Sequence, residues 1–269
     1  MSKDHGNAGN GKEPFKVQAA GLTHVGMKRN HNEDSFFMMQ EENLYVVADG
    51  MGGHASGEVA SRMAVETIAN FFKATADDDE ITWPFKMDKA KKYQENRIIT
   101  SIKLANLRIY EASAREAKYK GMGTTCVSSF FANGAVFISW VGDSRGYRVR
   151  GGEITQISED HSLLNDYIKM KKLTAEEIEN FPHKNVIVRA LGMKDTVQVD
   201  VRMDDPRDGD IYLICSDGLS GLIKDAVMCD LVMKNQDDLE AGCNQLIAAA
   251  NQNGGTDNIT VVLSKTVKA

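Results

Sequence analysis

Short apolar runs bounded by turn residues predict strands at about 17 to 25, 35 to 40 and 44 to 49. A helix is predicted to open near Ser56-Gly57-Glu58, because Ala60, Ala64, Ile68 and Phe71 recur at helical spacing and share one face. A second helix is predicted at about 96 to 118. Its Ile98, Ile102, Ala105, Ile109 and Ala112 step by four and three, and so short a run suits packing on a sheet better than a coiled coil. From 124 to 157, β-rich runs are separated by Ala132-Asn133-Gly134, Gly142-Asp143-Ser144-Arg145 and Gly151-Gly152, the punctuation of an antiparallel meander. Val197 to Met203 alternates strictly, as a half-exposed strand does, whereas Ile211 to Cys215 is apolar throughout and reads as a central strand. A helix at about 237 to 251, with Leu239, Cys243, Leu246, Ile247 and Ala250 on one face, leads into a closing strand at 258 to 264. Strands in groups with helices between the groups predict an α+β fold rather than a parallel doubly wound sheet.

Three segments break this rhythm. Residues 1 to 14 are rich in Gly, Asn and Lys with almost nothing apolar, which predicts a disordered tail. The tail holds a near match to a phosphate loop, Gly6-x-x-x-x-Gly11-Lys12, but Glu13 stands where a hydroxyl should hold magnesium and no strand precedes it. Residues 75 to 95 run from acidic through Trp83-Pro84-Phe85 to basic and read as a connection with an aromatic anchor. Residues 158 to 190 are polar, with a helical pattern from Thr174 to Asn180 and a break at Phe181-Pro182, as in a flap over a site.

Composition narrows the function classes. A chain of 269 residues can bury one large core, and its net charge of −6 argues against a partner that is bound through a nucleic-acid backbone. Cys126, Cys215, Cys229 and Cys243 have no C-x-x-C spacing and sit mostly in apolar stretches, which points to buried thiols in a reducing, cytoplasmic compartment. No apolar run reaches the length of a membrane span, and the start is unlike a signal peptide. The chain closes soon after its last predicted strand, so the expectation is a single domain over 15 to 267 with no membrane segment or sensor.

The chemistry gathers at aspartates. Val46-Val47-Ala48-Asp49-Gly50, Leu213-Ile214-Cys215-Ser216-Asp217-Gly218 and Gly255-Thr256-Asp257-Asn258-Ile259 each place a carboxylate beside an apolar run. Strands laid side by side would bring these acids together, and hard oxygen ligands suit Mg²⁺ or Mn²⁺. Asp208-Gly209, by contrast, follows Pro206 and precedes a strand, so it reads as a turn.

Further motifs fall in order with these: Arg29-x-x-Asn32-Glu33-Asp34, Asp49-Gly50-Met51-Gly52-Gly53-His54, Gly123-Thr124-Thr125, Gly142-Asp143-Ser144-Arg145, Asp160-His161-Ser162, Ser216-Asp217-Gly218-Leu219 and Asp257-Asn258-Ile259-Thr260. From about residue 17 to 264 the series resembles the metal-dependent serine/threonine protein phosphatases of type 2C, in their bacterial form. The resemblance implies a β-sandwich of two antiparallel sheets flanked by helix pairs, with a metal cleft at one end. It also implies that Asp49 bridges two metals, that the Gly50 carbonyl helps hold one, and that Asp217 and Asp257 hold the other. Glu33 would act through metal-bound water, with Asp34 and Asn258 behind the ligands, and Asp143 with Asp217 would form a third, weaker position. A bridging hydroxide would then attack phosphorus in line, and Arg29 would hold the phosphate oxygens with its planar fork. Many eukaryotic relatives have a histidine directly after the Asp-Gly. Met51 stands there instead, and His54 lies three positions on, so the proton for the leaving oxygen is expected from water on the Asp143 metal. The resemblance further implies phosphorylated proteins as substrates, among them Ser/Thr kinases and their targets, and a monomer.

Other phosphatase chemistries fare worse. No cysteine is followed by arginine at the C-x5-R spacing, histidine-bearing two-metal motifs are missing, and no G-x-S-x-G elbow occurs. A phosphoprotein-binding domain that has lost its metals should lack a metal carboxylate, yet all are present. A hydrolase of small phosphoesters would share the whole metal site and stays open.

Overall fold

The computed structural model describes residues 15–52, 56–76, 82–171, 173–179, 181 and 186–269. The expected tail with its Gly6-to-Lys12 motif, and His54, lie outside these residues.

In β3 (Leu44–Met51) alternate side chains turn to opposite faces, and both faces are buried. Leu44, Val46 and Ala48 join Ile68, Phe72, Ile98 and Ile102 beneath α1 (Gly57–Ala74) and α2 (Tyr93–Arg115). Tyr45 and Val47 turn the other way, to Ile138, Tyr212, Ile214 and Val262, in a layer between two sheets. Burial on both faces explains why these strands read as unbroken apolar runs.

One sheet contains β2 (Asp34–Met39), β3, β5 (Cys126–Ala132), β6 (Ala135–Val141) and β9 (Asp200–Asp204) in that order, with β4 (Gly123–Thr124) paired to the end of β3. The other runs β1-β11-β10-β7-β8, from β1 (Phe15–His24), β7 (Arg145–Arg150), β8 (Glu153–Gln156), β10 (Ile211–Cys215) and β11 (Ile259–Lys268). The pairings in both sheets are antiparallel. The outer face of the second sheet, with Ile211, Leu213, Cys215, Val261 and Leu263, packs on α5 (Asp217–Ser220), α6 (Asp225–Lys234) and α7 (Leu239–Gln252). The architecture is helix, sheet, sheet, helix, as the α+β expectation has it.

Several details differ from the sequence reading. β3 runs on through Met51, so Asp49 and Gly50 lie inside the strand rather than after it. The strand read at 197 to 203 is ordered as a strand only at 200–204. Val197, Val199 and Val201 pack toward α2, so the alternation extends beyond the ladder. The region 158 to 190 contains α3 (Leu163–Lys171), which the sequence reading missed, as well as α4 (Ala175–Glu179), within the Thr174–Asn180 pattern. Helix α6 is also unforeseen. Trp83 packs between Phe71 and Tyr93, which anchors the loop ahead of α2 as expected.

Candidate active site

The alternation that fills the layer between the sheets also supplies its polar end. One residue beyond Tyr45 and Val47 on the same face stands Asp49, and in the neighbouring strand Asp34 pairs with it in register. In the opposite sheet, Tyr212 and Ile214 are followed on the inner face by Ser216, while Val262 is preceded by Thr260. The Ser216 and Thr260 hydroxyls both donate to Asp34 Oδ2, at 2.8 and 2.6 Å. Asp34 Oδ1 is buried without a hydrogen-bond partner.

Asp49 is held from its backbone. Its carbonyl accepts from Thr125 N–H at 2.9 Å and Thr124 Oγ1 at 2.8 Å, and its own N–H donates to Thr125 Oγ1 at 3.0 Å. Thr125 Oγ1 also meets Ser144 Oγ at 2.7 Å, which ties this strand end to the turn bearing Asp143. The side chain of Asp49 is thereby left free to face other acids.

Those acids arrive from the second sheet. Asp217 opens α5 directly after β10, and Asp257 sits in the loop entering β11. With Asp143 they line one cavity of 350 Å³, together with Arg145, Asp160, Ser162 and Leu164 on its other side. Gly218 permits the crowding, since a Cβ there would overlap the Asn258 carbonyl. Arg145 is committed to the scaffold, with Nε and Nη2 on the Asp160 carboxylate at 3.0 and 2.7 Å. The Asp143 turn is held by His161, whose Nδ1 accepts from Gly142 N–H at 3.0 Å.

The loop with Arg29 and Glu33 is stapled to the same place by Asn258. Its Oδ1 accepts from Glu33 N–H at 2.8 Å, and its Nδ2 donates to the carbonyls of Val25 and His31, both at 2.9 Å. Arg29 Nη2 donates to Asp257 Oδ2 at 2.7 Å. Glu33 lies over the start of α1, where a Cβ on Gly57 would come within 2.8 Å of its Oε2. Gly50 is needed for the same packing, because a side chain would strike the backbones of Gly57 and Glu33.

So many acids in a partly dry space resist ionising together. Burial, then the charges of Asp34, Asp217, Asp143 and Asp257, push Asp49 well above the usual carboxylate range. Burial raises Asp34 and Asp143 to about 7, and Asp217 also rises, through burial and the nearby Asp257. Among the described residues, no three His, Cys, Asp or Glu side chains converge into a closed cage for an ion. The donors fit divalent cations nonetheless: they are hard oxygens, they repel one another, and Asp143 Oδ1 is buried without a partner. An ion such as Mg²⁺ fills its remaining positions with water and does not need an all-protein cage.

Glu33, Asp34, Asp49, Gly50, Asp143, Asp217, Asp257 and Asn258 are thus gathered at one end of the sandwich, with Arg29 at its rim. Sequence reasoning assigned no task to Thr124, Thr125, Ser144, His161 or the Arg145–Asp160 pair. Their signal was their presence inside the quoted motifs.

Residues 21–264 match the family described as protein phosphatase 2C. The serine/threonine phosphatase stp of Listeria welshimeri is 36% identical over 249 residues, covering 90% of this chain and 92% of that protein. The crystal structure of the Mycobacterium tuberculosis serine/threonine phosphatase PstP/Ppp superposes with a TM-score of 0.80 at 32% identity, covering 94% of this chain and 99% of that one. The PstP catalytic domain in complex with two manganese ions gives 0.77 at 32% identity, covering 94% of this chain and 100% of that one.

Proposed function

Because the chain belongs to the protein phosphatase 2C family, we propose that it hydrolyses phosphoserine and phosphothreonine in proteins, with Mn²⁺ or Mg²⁺ bound at the acidic end of the sandwich. The observation that carries this reading is the meeting of Asp143, Asp217 and Asp257 around one cavity, with Asp49 beside Asp217. Asp49 would lie between two ions, the Gly50 carbonyl and Glu33 would serve one, Asp217 and Asp257 the other, and Asp143 with Asp217 a third, weaker position. Divalent cations held there supply Lewis acidity to phosphoryl oxygens and make bound water more acidic.

The chain's own residues orient the reaction. Arg29 is exposed at the rim; Nη2 meets Asp257 and Nε the Thr256 carbonyl, which leaves Nη1 for phosphate oxygens. Asn258 fixes the loop from which Arg29 reaches, so the phosphate is met in one register. Asp34, paired in register with Asp49 and accepting from Ser216 and Thr260, ties this end of the first sheet to the second. Met51 has no proton to give, so water held at Asp143 would serve the leaving oxygen. The catalytic domain would occupy 15 to 267, with 158 to 190 as a flap over the cavity, and would act as a cytoplasmic monomer on Ser/Thr kinases and their targets. Four free, buried cysteines are consistent with that compartment, and among the described residues no helix is long and apolar enough to cross a membrane.

The test is phosphate release from a phosphothreonine peptide and from a phosphorylated kinase domain, with Mn²⁺, with Mg²⁺ and with EDTA. Release from both is expected only with metal, and Asp217→Asn is expected to abolish it. Folded protein that releases no phosphate with any metal would make this a binding domain instead. In the same assay Asp143→Ala is expected to change turnover and the pH profile on the protein substrate. An unchanged profile removes Asp143 from the route of the leaving-group proton.

A further inference from the structure

At the far side of the first sheet, β9 is the outermost strand. It pairs with β6 on one side, and among the described residues no backbone hydrogen bond reaches its other side. A groove of 520 Å³ follows that open edge, with Lys91 just ahead of α2 and Ile99 and Lys103 within it on one wall, Val199, Asp200, Val201 and Arg202 on the other, and Glu159 also in its lining. Lys86, Lys89 and Lys92 are exposed and extend the positive face along the loop ahead of α2. The Lys92 ammonium reaches across to Met203 Sδ at 3.1 Å, at the end of the strand.

The charges here are unbalanced. Among the described residues, Lys86, Lys89, Lys92 and Lys103 have no carboxylate partner, whereas most acids near them are engaged: Glu95 with Lys91, Glu159 with Lys169 and Arg202, Asp200 with Arg189 and His161, which leaves Asp88 as the one nearby carboxylate without an ion pair. On a chain with a net charge of −6, this is a local reversal of sign. An open strand edge offers backbone donors and acceptors to an extended segment, whose side chains then alternate between the two faces. Val201, like Val197 and Val199 just ahead of the strand, packs toward α2, so one row of an added strand would lie beside Lys103, with Lys92 at the strand's end. Acidic side chains in that row would complete the unpaired lysines.

We propose that the groove between β9 and the start of α2 docks an extended acidic segment of a partner protein, added to the sheet as a further strand. The proposal stands on strand edge and charge alone and does not depend on the phosphatase reading.

The experiment measures fluorescence anisotropy of a labelled heptapeptide of alternating threonine and glutamate. Two controls are its threonine–lysine counterpart and the acidic peptide with alternate backbone nitrogens methylated. Wild-type protein is expected to bind the acidic peptide and not the basic one. Lys92→Glu/Lys103→Glu is expected to weaken acidic-peptide binding by about tenfold or more and to admit the basic peptide. Methylation is expected to weaken binding by a similar factor, because it removes the ladder. Unchanged p-nitrophenyl phosphate turnover, or unchanged circular dichroism, reports that the variant is folded.

Equal binding by wild type and variant overturns the proposal, and so does indifference to methylation, which would mean charge attraction without strand addition. It is also overturned if the variant merely self-associates, since the lysines would then only guard the edge. Binding that appears only after Asp77→Asn, Asp78→Asn, Asp79→Asn and Glu80→Gln would make the chain's own acidic run the occupant. Binding of phosphatidylglycerol vesicles without the peptide would make the surface a membrane contact.

Discussion

Asp34 is the side chain most at odds with its surroundings: it is buried, it faces Asp49 across the ladder, and one of its oxygens has no partner. Its pKa rises from 3.8 to about 7, mainly through burial. The folded protein therefore binds more protons here than the unfolded chain between roughly pH 4 and pH 7. The stability tied to this group is full below about pH 4 and is lost as pH rises through about 7. Asp34→Asn removes the charge, keeps an oxygen for Ser216 and Thr260, and offers Asp49 an N–H donor. Metal-free Asp34→Asn at pH 8 is expected to be more stable by about 2 kcal/mol, a rise in Tm of about 4–8 °C, with lower phosphatase activity. A fall in Tm would show that the burial of this carboxylate is stabilising. The resemblance set Asp34 behind the metal ligands without saying what holds it there. Its partners lie 182 and 226 residues away, a separation that no local pattern encodes.

Helix α1 begins where the first sheet ends, and Gly57 allows it to start directly against Gly50 and beneath Glu33. Gly57→Ala suits a helix better by at most about 1 kcal/mol, but its methyl group would displace the Glu33 carboxylate and press on the Gly50 backbone. Helix content by circular dichroism is expected to be unchanged while metal-dependent phosphate release falls by about tenfold or more. Normal release would mean that Glu33 has room to adjust and that its position over α1 is incidental. The elements with clean faces were legible: α1 through Ala60, Ala64 and Ile68, and β10 through its unbroken apolar run. Helix α6 was not, because Val227, Leu231 and Met233 carry apolar groups around a helix that buries only Met228, Cys229 and Val232, which blurs the period. The early start of the strand read at 197 has the same kind of cause: tertiary packing of Val197 and Val199 imitates a ladder.

For the molecule, the acids at the mouth of the sandwich set two sheets against each other until cations neutralise them. Mn²⁺ at about a hundred times its dissociation constant should stabilise the folded protein by about 2.7 kcal/mol, a rise of about 5–10 °C, and Asp217→Asn should largely lose that rise. A thermal scan with and without Mn²⁺ at about pH 8, above the value of about 7 that Asp34 and Asp143 reach, reads both. The general architecture was readable because motif order carries it, whereas the open edge of β9 was not, since edge position is a property of the assembled sheet. That assembly has one more implication. Among the described residues β1 has a single neighbour, β11, so a strand made early waits for one made much later. Asp257, Asn258 and Thr260 arrive in the same late piece of chain. A ribosome-bound chain therefore carries no working catalyst until β11 emerges, and a messenger cut short upstream of it yields an inert product rather than a constitutively active fragment.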